Sequence, residues 1–172
     1  MVEAFFGQAF LSIQARIMAE VPAVKWVDQD MGQLEHYETR PAVQFPCVLI
    51  DFINAGYKEE GQLVQWGDIT VQLRIGFAPF SSANSAAPVS AQEAALQYYD
   101  IENDIFKALH GWTPVYGDPQ VPIADPLIRV TAATEQREDA HRVRVNHFTT
   151  AFEDDGATPT RTTVKAKMNI ER

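Results

Sequence analysis

The chain has 172 residues, 46% hydrophobic and 22% charged, which is the composition of a globular protein rather than a disordered one. This length predicts one domain that buries enough surface to need no disulfide or metal for stability. The net charge of −9 argues against nucleic-acid binding, because phosphate-binding proteins normally carry a basic patch. The sequence has no apolar run of about 18 residues, so we expect no membrane span, and the N-terminus does not resemble a signal peptide.

The first predicted element is an amphipathic helix over residues 3 to 20, followed by a short strand over 24 to 28 and a polar connector over 30 to 40. Apolar positions of the helix recur at spacings of three and four. Pro22 ends the helix, since the residue before a proline disfavours helical conformation. The apolar positions are Phe6, Ala9, Phe10, Ile13 and Ile17, and the polar ones are Gln8, Ser12, Gln14 and Arg16.

Residues 41 to 77 give the clearest pattern, two strands joined by a polar turn. The strand over 45 to 53 is apolar on both faces apart from Asp51. We expect its extra face to be covered either by a helix of the same subunit or by another subunit. The strand over 65 to 77 alternates apolar and polar residues, so one face belongs to the core. The turn is predicted over 54 to 62, which contains two glycines.

Cys47 lies within the first of these strands and is the only cysteine, so no intramolecular disulfide can form. The sequence places no base beside it. We therefore interpret Cys47 as a small buried hydrophobe rather than a nucleophile.

A mobile loop is predicted over 79 to 89, and a second helix follows it. Ser90 and Glu93 have the spacing of a capping box at its start. Gly111 is suited to a left-handed cap after its end. The predicted apolar face of this helix consists of Ala94, Tyr98, Ile101, Ile105 and Leu109.

The remaining pattern predicts a Pro- and Gly-rich loop over 112 to 125 and a second hairpin formed by residues 127–137 and 141–152. The fold class is therefore α+β: a mainly antiparallel sheet of about four to five strands, packed by the N-terminal helix and by a second helix after the first strand pair. We expect a single domain over residues 1–155 and a polar, basic arm over 156–172.

The arm differs in charge from the rest of the chain. Its four basic residues and one glutamate give the arm a net charge of +3. Because the whole chain has a net charge of −9, the other residues together carry −12. An acidic body with a basic arm can attract copies of itself. A weak strand pattern from Thr162 to Ile170 indicates a segment that becomes ordered only against another surface.

The sequence contains no phosphate-binding loop, nucleophile-elbow, zinc-protease or paired-cysteine motif, and we assign no catalytic, cofactor-binding or metal-binding residue. Asp51 is unusual because a carboxylate in an apolar run is costly unless it is paired. We favour a pair with an arginine, for which Arg74 is one candidate, or a position at a strand edge. The alternative is an enzyme or ligand-binding domain that uses Asp51 together with His141 and His147, which share a strand face.

Other charged groups have simpler interpretations. The acidic residues near 28–30 and 153–155 follow no EF-hand pattern and indicate a solvated acidic surface. Arg137, Arg142 and Arg144 alternate with acidic residues, which favours pairing between strands over a nucleic-acid surface.

Four segments carry a resemblance to a known family. They are VKWVDQDMGQLE at 24–35, RPAVQFPCVLIDF at 40–52, VQLRIGF at 71–77 and LHGW at 109–112. In this order, with the helices between them, they resemble the tail-terminator (tail-completion) proteins of tailed phages and prophages. The resemblance covers roughly residues 1–155, and its motifs are structural rather than catalytic.

The resemblance implies a non-enzymatic structural protein without a cofactor. Members of that group form a ring, commonly a hexamer, that caps the tail tube and joins it to the head. The implied partners are copies of the chain, the tail tube protein and the head–tail connector, in the virion or in the host cytoplasm during assembly. Another minor tail or connector protein is the alternative.

Four residues are our candidates for subunit interfaces: Asp51 in the first strand, and Arg161, Lys165 and Lys167 in the arm. We predict that the arm, or the loop over 79–89, contacts an acidic surface of a neighbouring subunit.

Overall fold

A computed structural model describes residues 4–36, 38–61, 63–78, 83–139 and 141–158. One sheet contains five strands in the order β1-β2-β3-β7-β6, and β4 pairs separately with β5. β1 and β2 are parallel, and the other neighbours in the sheet are antiparallel. The predicted α+β class is confirmed. The elements are α1 (Phe5–Glu20), β1 (Trp26–Gln29), β2 (Cys47–Gly61), β3 (Val64–Phe77), α2 (Val89–Leu96), α3 (Tyr98–Leu109), β4 (Val115–Tyr116), β5 (Val121–Pro122), β6 (Ile128–Glu135) and β7 (Arg142–Asp154).

The main core lies between one face of the sheet and the helices α1 and α3. The alternation predicted for the second strand is confirmed, since every apolar position of that face is buried in β3. The apolar stripe of α1 is also confirmed at Ala9, Ile13 and Ile17. Apolar burial of this kind is the main stabilising contribution to a domain of this size. The β3 positions are Ile69, Val71, Leu73, Ile75 and Phe77.

The opposite face of the sheet carries a smaller apolar cluster at one end. This cluster consists of Cys47 and Leu49 of β2, Val143 of β7, and Leu34 of the connector, with Phe45 packed beside them. Residues of the connector between β1 and β2 thus cover the extra apolar face of β2. The covering element is a loop of the same chain, rather than either of the covers expected from the sequence. The interpretation of Cys47 as a buried hydrophobe agrees with its zero exposure.

The turn predicted over 54–62 is wrong, because β2 continues to Gly61 and β3 begins at Val64. Asn54 pairs with Thr70 and Gly56 pairs with Asp68, so these polar residues belong to the antiparallel ladder. This half of β2 is exposed along its length. Polar residues and glycine are compatible with a solvated strand, and composition alone made the segment resemble a turn.

The second predicted helix is two helices. α2 begins at Val89 after an N-cap Pro88 without a side-chain cap, so the capping box of Ser90 and Glu93 is wrong. A separate helix, α3, begins at Tyr98. The break shifts the helical phase, and Ala95 rather than Ala94 is buried. The rest of the predicted face, Tyr98, Ile101, Ile105 and Leu109, is buried as expected.

Gly111 agrees with the expectation from the sequence, and Ser12 does not. Gly111 adopts a φ of +78°, the left-handed conformation predicted after the second helix. Ser12 was placed on the polar side of α1, which is wrong because it is buried. Its Oγ donates to the carbonyl of Val115 at 2.7 Å and accepts from the amide of Val115 at 3.0 Å. These bonds satisfy the buried hydroxyl and fix the β4 segment against α1.

Candidate assembly surfaces

Asp51 lies where the cover of β2 by β1 ends. β1 pairs with β2 over Cys47–Ile50, and Asp51 is the next residue. The side chain is exposed, and its Oδ1 accepts a hydrogen bond from the amide of Phe52 at 2.8 Å. The suggested pair with Arg74 is wrong, because Arg74 binds other carboxylates. Asp51 lies at a strand edge, which is the other position that we expected from the sequence.

Arg74 is the centre of a charged cluster that holds the connector against the sheet. Its guanidinium donates to Asp30 at 3.0 Å, to Glu135 at 2.9 Å and to Glu35. Hydrogen bonding from Arg74 is the largest cause that lowers the pKa of Glu35 to about 2. These contacts join three segments that are distant in sequence.

Arg137 completes this cluster. It donates to Glu35 at 2.8 Å, to Glu135 at 2.7 Å, to Asp139 at 2.6 Å and to the carbonyl of Leu34 at 2.7 Å. Its hydrogen bonds hold the pKa of Asp139 well below the usual range. Arg137 is thus paired with acidic residues, but Glu135 and Asp139 are each two residues away along the chain, so these are not the pairs between strands expected from the sequence. The cluster is satisfied by its own members, so its role is to position the connector.

Asp51 and the two histidines do not form a catalytic group. Asp51 is opposite Gln72, and Gln72 is opposite His147, so β3 lies between the two residues and their backbones are about 9–10 Å apart. The ring nitrogens of His147 lie 3.1 Å from Gln72 Oε1 and 2.8 Å from Thr131 Oγ1. His141 stacks on Phe45 with ring centroids 5.0 Å apart. The side chains of this row are therefore engaged with their neighbours in the sheet.

The described residues contain no group of three or more His, Cys, Asp or Glu side chains that could hold a metal ion. None of the described helices combines enough length with enough apolar character to cross a membrane.

The five-stranded sheet has open strand edges on both of its sides. Beyond Ile50, no described strand pairs with the outer side of β2. At the other end, β6 is the last strand, and no described strand pairs with its outer side. Unpaired amide and carbonyl groups along such edges are templates for pairing with another chain.

Both open edges carry an exposed apolar residue at a β-bulge. Ile53 lies in the bulge between Phe52 and Asn54 of β2, and Val130 lies in the bulge between Arg129 and Thr131 of β6. Their exposed fractions are 37% and 53%. Bulges often occur at edges, where they redirect a side chain. Sequence patterns indicated both strands but not the two irregularities.

A cavity of about 720 Å³ opens where the N-terminus of α1 meets the end of β7. We call it the acidic groove. Its aromatic lining comes from Phe5, Phe6, Trp66 and Phe152, and its carboxylates are Asp125, Glu153, Asp154 and Asp155. The sequence had indicated a merely solvated surface at 153–155. The contribution of α1 and of residues near 125 depends on contacts distant in sequence, which no local pattern displays.

The groove lies beside the point where the described chain ends. Gly156 is part of its lining, and Thr158 donates its amide to the carbonyl of Asp155 at 2.8 Å. The predicted interface residues Arg161, Lys165 and Lys167 lie outside the described residues, as do residues 79–82 of the predicted loop.

Comparison with solved structures gives distant likenesses, of which one extends over most of both chains. The chain is similar to a chain of the virion of a native gene transfer agent particle, with 12% sequence identity and a TM-score of 0.39. The match covers 88% of this chain and 92% of that chain. At this distance it assigns no function. The chain matches no protein-family model and no curated protein.

Proposed function

We propose that this protein is a non-enzymatic structural subunit of a phage-like particle, and specifically a tail terminator whose copies form a ring on the tail tube. The motifs over residues 24–112 that resemble tail-terminator proteins support the family. The observation that carries the assembly is a pair of open strand edges on a single sheet, one along β2 beyond Ile50 and one along β6.

Two different edges on one subunit favour a contact between unlike surfaces. If the outer side of β6 meets the open half of β2 on the next copy, the resulting pair still has one free edge of each kind. Such heterologous contacts give a closed ring when the rotation between subunits closes. The family resemblance makes a hexamer the expected size.

The charges are compatible with this role. Asp51 lies at the open edge of β2, which supports its place at a subunit interface. Arg161, Lys165 and Lys167 are the proposed partners for an acidic surface of a neighbouring copy. A net charge of −9 also suits a ring through which DNA passes without adhering, because like charges repel.

Electron microscopy of particles that lack this protein tests the proposal. Overlong tail tubes are expected, because nothing stops tube growth. Tubes of normal length with a defective neck or tip would instead indicate another minor tail or head–tail connector protein. Normal, fully assembled particles would contradict a structural role altogether. Re-expression of the unaltered chain provides the control and should restore normal tubes.

A further inference from the structure

We propose that the arm, residues 159–172 of one copy, binds in the acidic groove of a neighbouring copy; this inference rests on the assembly proposed above. It assigns an occupant to the acidic groove and a binding site to the arm. The three observations that support it are the chemistry of the groove, the charge and pattern of the arm, and the position at which the described chain ends.

The groove combines an apolar floor with carboxylates at its rim. Phe5 and Phe152 stack with ring centroids 3.6 Å apart, and Phe6 contacts both rings edge-on. Glu153 and Asp155 are exposed beside them. A surface of this kind fits a chain with one apolar and one basic face, because the aromatic rings and the carboxylates can be contacted together.

The four groove carboxylates have no cationic partner within the described part of the chain. The described ion pairs involve other carboxylates, and Asp154 Oδ1 accepts only a backbone bond, from Gly156 at 3.0 Å. Close like charges repel each other, so a bound cation would lower this repulsion. The groove is therefore electrostatically suited to a basic ligand.

The arm has the complementary pattern. In an extended conformation, Val164, Ala166, Met168 and Ile170 share one face, while Arg161, Lys165 and Lys167 share the other. Four basic residues against one glutamate give it a net charge of +3. Alternation of this type is typical of a strand with one face against an apolar surface.

Chain length favours the groove of another copy. Extended residues advance about 3.3 Å each, so Lys165 and Lys167 would be about 23 and 30 Å beyond Thr158. Thr158 itself follows directly on Gly156, which lines the chain's own groove. An extended arm therefore carries these lysines away from its own groove and towards that of a neighbour.

The first experiment measures binding of a synthetic peptide of residues 159–172 to a protein truncated after Thr158. We expect saturable binding that weakens from about 0.05 M to about 0.5 M salt. A peptide of the same composition in scrambled order should bind at least fivefold more weakly, because its apolar face is lost. Equal affinity of the two peptides, or no binding, would overturn the inference.

Variants of the groove locate the contact. Glu153→Gln with Asp155→Asn should weaken peptide binding about tenfold at low salt, since two rim charges are lost. Glu93→Gln with Glu138→Gln removes the same charge at exposed sites outside the groove and should leave the affinity within about twofold. If both double variants lose affinity equally, the peptide senses net charge only, and the groove is not its site.

Sedimentation of the full chain distinguishes a neighbour's arm from the chain's own arm. We expect concentration-dependent association that is reduced both by truncation after Thr158 and by the Glu153→Gln/Asp155→Asn variant. A full chain that stays monomeric at all concentrations, although the truncated form binds peptide, would place the arm in its own groove and overturn the inference. Failure of these assays leaves the tail-length experiment unaffected, so the two proposals fail separately.

Discussion

Gly67 of β3 lies opposite Phe152 of β7, and the ring of Phe152 occupies the space that a side chain at Gly67 would need. A Cβ atom built at Gly67 would be 2.5 Å from Cε1 of Phe152. That distance is well inside van der Waals contact. The same ring stacks on Phe5 of α1 and is 2% exposed. Absence of a side chain at Gly67 thus allows the sheet to receive the N-terminus of α1.

We therefore expect Gly67→Ala to lower the free energy of unfolding by about 1–3 kcal/mol through overpacking. Gly56→Ala is the matched control, because it lies on the neighbouring strand with nothing within 4 Å of the added Cβ. It should be neutral or slightly stabilising. Urea unfolding followed by tryptophan fluorescence measures both, and equal effects of the two substitutions would contradict the packing relationship.

The charged cluster predicts a stability that depends on pH. Glu35 has a pKa lowered to about 2 from 4.5, chiefly by the hydrogen bond from Arg74. A carboxyl with a lowered folded pKa contributes stability above its unfolded pKa and loses it as the pH falls through the folded value. The contribution of Glu35 is therefore complete above about pH 4.5 and disappears towards pH 2.

We expect Glu35→Gln to be less stable than the unaltered chain at pH 7 and the difference to shrink between pH 4.5 and pH 2. Urea unfolding midpoints at a series of pH values measure this. The exposed Glu93→Gln is the control, and its difference from the unaltered chain should not follow that course. A Glu35→Gln effect that is constant with pH would contradict the ion-pair explanation.

A second charged contact joins α3 to β7. Arg144 Nε donates to Glu102 at 2.7 Å, and the side chains are 14% and 7% exposed. Glu102→Ala leaves the Arg144 guanidinium buried without its charge partner, which should lower the free energy of unfolding by about 3–5 kcal/mol.

Replacement of both residues, by Glu102→Leu with Arg144→Met, should lower the free energy of unfolding less than Glu102→Ala alone. Additive losses in a double-mutant cycle from denaturant unfolding would show that the two residues act independently.

These contacts show which parts of the structure local patterns could predict. β3 alternates regularly from Ile69 to Phe77, and the apolar stripe of α3 follows the helical period, so both were predicted. Arg74 was one candidate partner for Asp51, but it binds Asp30, Glu35 and Glu135. Its actual partners are 39 to 61 residues distant in sequence. No spacing rule connects such residues.

The exposed half of β2 was missed for a different reason. A strand that is solvated along its length has no apolar alternation, and Gly56 and Gly61 add a turn-like composition. Only the ladder with β3 shows that the segment is extended. The groove was not predicted either, since it unites the start of α1 with the end of β7, which are distant in sequence.

The open edges give the final prediction, which concerns how copies associate. Val130→Lys puts a charge on the open edge of β6, and Ile53→Lys does so on the open edge of β2. Charged edge residues oppose pairing between strands. Each substitution should abolish ring formation in sedimentation velocity at a concentration where the unaltered chain associates. Leu96→Lys, at a position that is 45% exposed on α2, is the control and should associate normally.

A mixture of the two edge variants separates heterologous from like-to-like contact. In a heterologous ring, the Val130→Lys subunit retains a working β2 edge and the Ile53→Lys subunit retains a working β6 edge. Mixing them should therefore restore one contact and produce dimers without larger species. If β6 edges instead paired with each other, the Ile53→Lys variant alone would dimerise and Val130→Lys would not join it. Because the arm could also join copies, the mixture is tested in chains truncated after Thr158. Dimerisation of either truncated variant alone would contradict a ring built by joining β6 to β2.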